Sequence, residues 1–294
     1  MTALGSPRLW RAPAKVNLTL SVLGRRTDGW HELDSVVAFA GCCDWLSFAP
    51  AQTLTLTIDG PTAAAAGPTD GNLVLAAARA LTARVPRLRL GHFHLRKRLP
   101  VAAGLGGGSS DAAAALRALA AANDLAPDDP RLFDAAAVVG ADVPVCLCPT
   151  ARRMTGRGET LGPPLGLPPL PAVLANPGAA VATASVFAGL GLAPGAVIDA
   201  PPPRRLEIGP NAAGALEALK AGRNDLQASA MRIAPAIGEM LAALRRLNGA
   251  RLARMSGSGA TCFALFDDRH AAARAARALA ETRPGWWVRA TYLR

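Results

Sequence analysis

Between Trp10 and Leu23 apolar and polar residues alternate. Val16, Leu18, Leu20 and Val22 fall on one side, Asn17, Thr19 and Ser21 on the other. A period of two predicts a half-buried strand. The alternation recurs in Thr53–Ile58, which Asp59-Gly60-Pro61 ends, and again across Leu88–Leu99. Ser35–Phe39 and Asp44–Phe48 read as two further strands. The period lengthens in Asn72–Arg84, where Leu73, Leu75, Ala76 and Ala80 form one face of a helix, and Arg131–Val139 reads as another.

Gly162–Pro171 holds five prolines in ten positions, a composition that neither coils nor pairs well. It is the best domain boundary, dividing the chain into 1–162 and 163–294. Beyond it the pattern predicts a strand at Ala172–Ala175, a helix near Ala184–Leu190 and a proline-rich loop through Pro203. A long amphipathic helix follows, capped by Asn224 or Asp225 and reaching Leu247. A strand at Arg251–Met255, the turn Ser256–Gly259, a strand at Thr261–Phe266, a helix at Arg269–Leu279 and a strand at Trp286–Leu293 complete it. That order suggests an α+β chain whose second domain is a split β-α-β sandwich, ferredoxin-like.

One stretch stands out against this background. After Pro100, four glycines (Gly104, Gly106, Gly107, Gly108) and the pair Ser109-Ser110 lead into Ala112–Leu119, which holds five alanines, two leucines and an arginine. These are strong helix formers. Ser109, Ser110 or Asp111 can cap the helix. Glycines let a bulky anion approach the backbone, and a helix start offers amides and the positive end of its dipole. A strand, a glycine loop and a helix in this order suit a di- or triphosphate. No Gly-Lys-Ser/Thr closes the loop as in a P-loop, and the dinucleotide Gly-x-Gly-x-x-Gly spacing is absent.

Charge changes the picture little. Lys and Arg number 32 against 21 Asp and Glu, a net +11, yet the arginines are scattered and no basic run carries interleaved aromatics. A nucleic-acid surface and a surface that attracts phosphorylated small molecules fit equally. Five cysteines without Cys-x-x-Cys spacing argue for reduced thiols rather than zinc. No leader-like segment and no apolar run of membrane-spanning length is present, so a cytoplasmic protein is expected.

Few residues could carry chemistry. Lys15 stands at the start of a strand, and Asp142 follows a helix and Gly140. Phosphoryl transfer to an alcohol needs a positioned donor, a cation on the phosphates and a base near the hydroxyl. Asp142 could be that base and Lys15 its partner. Equally, Asp142 could cap a turn, Lys15 could be solvated, and Ser256–Gly259 could merely join two strands. His92 and His94 share a strand face but have no third metal ligand nearby.

In combination the motifs resemble the GHMP kinase superfamily. Its three signatures occur in order: Pro13-Ala14-Lys15-Val16-Asn17-Leu18, Pro100–Ala114 with the glycine loop, and Ser256-Gly257-Ser258-Gly259-Ala260-Thr261. The resemblance implies two domains, an N-terminal nucleotide-binding domain like ribosomal protein S5 and a C-terminal ferredoxin-like domain. Leu23–Leu33, Gly140–Pro144 and Asn224-Asp225-Leu226 are most similar to the members that phosphorylate the 2-hydroxyl of 4-diphosphocytidyl-2-C-methyl-D-erythritol with ATP and Mg2+. It further implies Asp142 as base with Lys15 beside it. Asn17, Trp30, His31, Thr183 and Phe187 would contact the substrate. Asn72 and Lys97 would lie near the adenine, with Pro100 and Gly104, Leu105, Gly106, Gly107, Gly108, Ser109 and Ser110 around the phosphates. No protein metal ligand is implied, nor any nucleic-acid or membrane partner, and the expected state is a monomer or weak homodimer. Trp30 departs from the tyrosine usual there: the π-face is kept and a phenol hydroxyl is lost. Rival readings are another GHMP kinase, acting on homoserine or mevalonate, and a basic RNA-binding protein.

Overall fold

The computed structural model describes residues 8–198 and 211–294. The expected loop through Pro203 runs beyond the described residues at its end. The first alternating stretch forms two strands, β1 (Leu9–Asn17) and β2 (Ser21–Arg25). They separate because the amides of Leu18 and Thr19 both turn to the carbonyl of Val36. The two strands expected over 35–48 are one, β3 (His31–Pro50). Then come β4 (Thr55–Asp59), α1 (Leu73–Thr82) and β5 (Gly91–Arg96).

Helix α2 (Gly107–Ala122) starts within the glycine run. Its cap is Gly106, left-handed at φ 58° and without a side-chain bond, so Ser109, Ser110 and Asp111 lie inside the helix and do not cap it. α3 (Pro130–Val139) is capped by Asp129, whose side chain accepts from the Arg131 amide. The short α4 (Val143–Leu147) follows Asp142. Next are β6 (Arg152–Gly156), β7 (Thr160–Pro164), β8 (Leu170–Asn176) and α5 (Thr183–Ala188). The proline-rich stretch therefore pairs at both ends: Pro164 lies opposite Arg152, and Pro171 opposite Tyr292.

An unexpected helix, α6 (Ala212–Lys220), is capped by Asn211. The single long helix expected to reach Leu247 is two, α7 (Gln227–Ile233) and α8 (Ala236–Arg245). Pro235 divides them, since the residue before a proline is driven out of helical conformation and Ala234 sits at φ −133°, ψ 89°. Neither expected residue caps α7. Asn224 Oδ1 accepts from Leu226, and Asp225 Oδ2 accepts from the amide of Val22. β9 (Leu252–Met255), β10 (Cys262–Leu265), α9 (Arg269–Thr282) and β11 (Trp287–Leu293) complete the described chain.

The chain forms two compact units, neither continuous in sequence. The first takes the residues through Ala14, Cys43–Val101 and Gly106–Pro149; the second takes Lys15–Cys42, Ala102–Leu105 and Thr150–Arg294. In the first, β4 runs parallel to β5, and β5 pairs antiparallel with the end of β3, Trp45 facing Arg96. Helices α1 to α4 pack on one another. Ala112–Ala115 of α2 are wholly buried, and alanine there lets neighbouring helices approach closely.

In the second unit β8 to β11 form a sheet in the order β11-β8-β10-β9, all antiparallel. With α7 and α8 before β9, and α9 before β11, this is the ferredoxin-like split β-α-β expected. Val173, Leu226, Ile237, Met240, Leu241, Leu244, Phe266 and Leu279 fill its core. The first half of β3 pairs with β2, with β6 and, at Ala40, with Leu293 of β11.

Candidate active site

In the first unit the chain leaves β5 through Lys97 and Leu99 and enters α2 at Gly106. The amide of Ser110 bonds back to Gly106 O at 2.8 Å, so the first-turn amides before it have no acceptor within the helix. The Ser110 hydroxyl is buried and donates to Pro13 O at 2.7 Å, whereas Ser109 is half-buried. Asn72 caps α1 by accepting from Val74 N, and its neighbour Leu73 lies 3.3 Å from where a β-carbon on Gly108 would stand.

Lys97 is buried beneath this turn, its ammonium 2.5 Å from Asp44 and 2.7 Å from Asp111. Asp44 also accepts from the amides of Arg98 and Leu99. Sequence reasoning missed Asp44. Its signal is an acidic residue two positions before Leu46, on the buried phase of a strand. Asp142 is half-buried at the head of α4, where its side chain makes no capping bond. A capping role therefore does not account for it.

In the second unit the first and third signatures meet the opening of the glycine loop. Lys15, buried, donates its amide to Leu105 O at 2.8 Å. The Ser256 hydroxyl accepts from Asn17 N at 3.1 Å and donates to Gly104 O at 2.8 Å, and Thr261 N donates to Ala103 O. These segments touch backbone to backbone. A β-carbon on Gly104, at φ 73°, would fall 2.4 Å from Ser256 O. Glycine is needed there by the protein's own packing, before any ligand is considered. Asn224 Nδ2 donates to the carbonyls of Met255 and Gly257 and fixes the turn from below. Arg254 is buried and donates to the carbonyls of Leu18, Leu219 and Gly222; burial lowers its pKa to about 10.

Asn17 Nδ2 donates to Ser35 Oγ at 2.7 Å, while its Oδ1 is buried without a partner. His31 stacks at 4.7 Å on Phe187, its ring tilted by 32°. Burial, and then the charge of Arg25, hold the imidazole below its ordinary pKa, and its Nε2 is buried and unpartnered. Trp30 is 54% exposed, with the Arg157 guanidinium 5.0 Å from its ring centre. Thr183, exposed at the start of α5, lies 2.8 Å from the Ser258 hydroxyl. Thus Asn17, Thr183, Gly104 and Leu105 are joined to the signatures of this unit, and His31 to Phe187. Asp142, Asn72, Lys97, Pro100 and Gly106–Ser110 belong to the first unit.

His92 is bonded to Thr55 and Thr57, and His94 to Asp59. Among the described residues no helix is long and apolar enough to cross a membrane.

The family model for the GHMP kinases N terminal domain matches residues 72–149, and that for the GHMP kinases C terminal matches 211–284. The chain belongs to the GHMP kinases. This GHMP kinase is 61% identical to the 4-diphosphocytidyl-2-C-methyl-D-erythritol kinase of Methylobacterium radiotolerans, covering 97% of this chain and 98% of the other. It is 58% identical to the kinase of the same name from Xanthobacter autotrophicus, covering 97% and 98%. Among solved structures, one of 4-(cytidine 5'-diphospho)-2C-methyl-D-erythritol kinase superposes with a TM-score of 0.75 at 36% identity, over 97% of this chain and 99% of that one. A homoserine kinase from Cytophaga hutchinsonii gives 0.68 at 18% identity, over 99% and 96%, and shares the fold.

Proposed function

We propose that this GHMP kinase transfers the γ-phosphoryl group of ATP to the 2-hydroxyl of 4-diphosphocytidyl-2-C-methyl-D-erythritol, yielding the 2-phosphate and ADP. The observation that carries the choice of substrate is His31. Its neutral ring lies against Phe187 with Nε2 buried and unpartnered, a planar polar edge suited to a pyrimidine. Trp30 offers a π-face beside it in sequence, and Asn17, with its unpartnered Oδ1, suits a hydroxyl donor. Thr183 completes the substrate contacts.

In this reading Asp142 takes the proton of the attacking hydroxyl, with Lys15 as its cationic partner. The oxygen attacks the γ-phosphorus, the bond to the β-phosphate bridging oxygen breaks, and ADP leaves. Gly106, Gly107, Gly108 and Ser109 present first-turn amides to the phosphates. Gly104, Leu105, Pro100 and Ser110 set the course of the loop, and Asn72 and the main chain of Lys97 would lie toward the adenine, the Lys97 ammonium being held beneath the turn by Asp44 and Asp111. Among the described residues no group of three or more His, Cys, Asp or Glu could cage a metal. Magnesium would come with the nucleotide, on its phosphates and water, and would neutralise charge there. We place the reaction in the cytoplasm, on a monomer or weak homodimer.

The test is a coupled ADP-release assay with ATP and magnesium, offering the cytidyl substrate, homoserine and mevalonate separately. Turnover with the cytidyl substrate alone is expected. Turnover with homoserine or mevalonate instead would keep the phosphate turn and discard the pyrimidine site.

A further inference from the structure

Beneath the start of α2 lies a buried cluster to which the proposed reaction gives no chemical step. Asp44 of β3, Lys97 after β5 and Asp111 in the first turns of α2 place two carboxylates on one ammonium, at 2.5 and 2.7 Å. The two are not equally served. Asp44 accepts from Lys97 and from the amides of Arg98 and Leu99. Asp111 accepts from Lys97, and its Oδ1 is buried with no partner. An ionised carboxylate with a bare oxygen in a dry interior is costly, and a neutral carboxyl that shares its proton with a neighbouring carboxylate is far less so. Burial pushes Asp111 up to about 7 against the pull of Lys97, and the charge of Asp44 and a hydrogen bond to it act in the same direction as burial. Among the described residues Lys97 and Asp44 are the charged groups acting on Asp111, and α1, α3 and α4, packed on the same helix, add no other.

The cluster is the floor of the phosphate turn. A β-carbon on Gly107 would stand 3.7 Å from Lys97 Nζ and 3.8 Å from Asp44 Oδ2. With a proton on Asp111 the floor holds one negative and one positive charge. Without it a net negative charge sits about one helical turn behind the amides, where it competes with a bound anion for their positive potential.

We propose that Asp44, Lys97 and Asp111 form a proton-sharing floor beneath the phosphate turn, so that nucleotide binding is coupled to a proton held on Asp111. This rests on the reading that the start of α2 takes the nucleotide's phosphates. The test is calorimetric titration of the full chain with magnesium-ADP at about pH 8, where both phosphates are already ionised, in buffers of different ionisation heat. The wild type should take up part of a proton on binding. Asp111→Asn should take up none, and should bind ADP roughly two- to tenfold more tightly than wild type at about pH 8.5 and equally at about pH 6. Equal proton uptake by the two proteins, or an affinity ratio that does not change with pH, would overturn the proposal. If Asp111→Asn does not fold, the wild-type proton count decides alone, and zero uptake overturns it. Failure of the wild type to bind ADP at any pH would instead remove the underlying phosphate reading.

Discussion

The proposed reaction gives Asp142 and His31 different parts, so their substitutions should fail in different ways. Asp142 stands at the head of α4, and its side chain makes no capping bond there. Asp142→Asn should lower kcat by about two to four orders of magnitude while the affinity for ATP stays near that of wild type. Unchanged turnover would remove it as the base. For His31 the sign follows from burial. Its folded-state pKa lies below the ordinary imidazole value, so the ring is neutral at neutral pH and gains a charge only as pH falls beneath that range. Its contribution to stability is complete above the unfolded pKa and is lost as pH falls through the folded one. The KM for the cytidyl substrate should rise on the acid side while the KM for ATP holds. A substrate KM flat down to about pH 5 would place His31 outside the substrate site.

At the scale of elements, glycine acts for two separate reasons. Gly106 supplies the left-handed backbone, φ 58°, with which the chain enters α2, and Gly104, also left-handed, lies against the Ser256 carbonyl. Gly104→Ala should therefore cost about 2 to 4 kcal/mol of stability, read by chemical unfolding, through strain and overpacking together. Gly107→Ala meets only ordinary contacts and should leave the unfolding midpoint within a few degrees. The alternation in β1, β2, β4 and β5 and the glycine-to-helix passage were legible in the sequence, because each depends on neighbours a few residues away. The break at Leu18–Thr19 was not, since it is made by the distant Val36 carbonyl. The division of the long helix could have been read from Pro235, and α6 from the Asn211 cap. Asp44 was harder, because its partners lie 53 to 67 positions along the chain and no local pattern points to Lys97 or Asp111.

For the molecule as a whole, the net charge of +11 fits the proposed reaction, in which nucleotide and acceptor would both carry phosphate. Electrostatic steering would make kcat/KM for the cytidyl substrate fall severalfold between about 20 mM and 300 mM salt, with kcat little changed. A salt-independent kcat/KM would leave the charge without a kinetic role. The ferredoxin-like order of the second unit was readable from its own run of elements. Its inclusion of Lys15–Cys42 and Ala102–Leu105 was not, because that depends on pairings such as Leu33 with Gly156 and Ala40 with Leu293.

Those pairings set a timetable for synthesis. The first half of β3 leaves the ribosome long before β6, and longer still before β11, whose following residue Arg294 exchanges hydrogen bonds with Phe39 at 2.8 and 3.1 Å. Throughout that interval the backbone from Val37 to Ala40, buried and apolar in the finished protein, has no partner on its β11 edge. A nascent chain arrested before Trp287 should therefore hold an open strand edge that recruits a chaperone or a second chain.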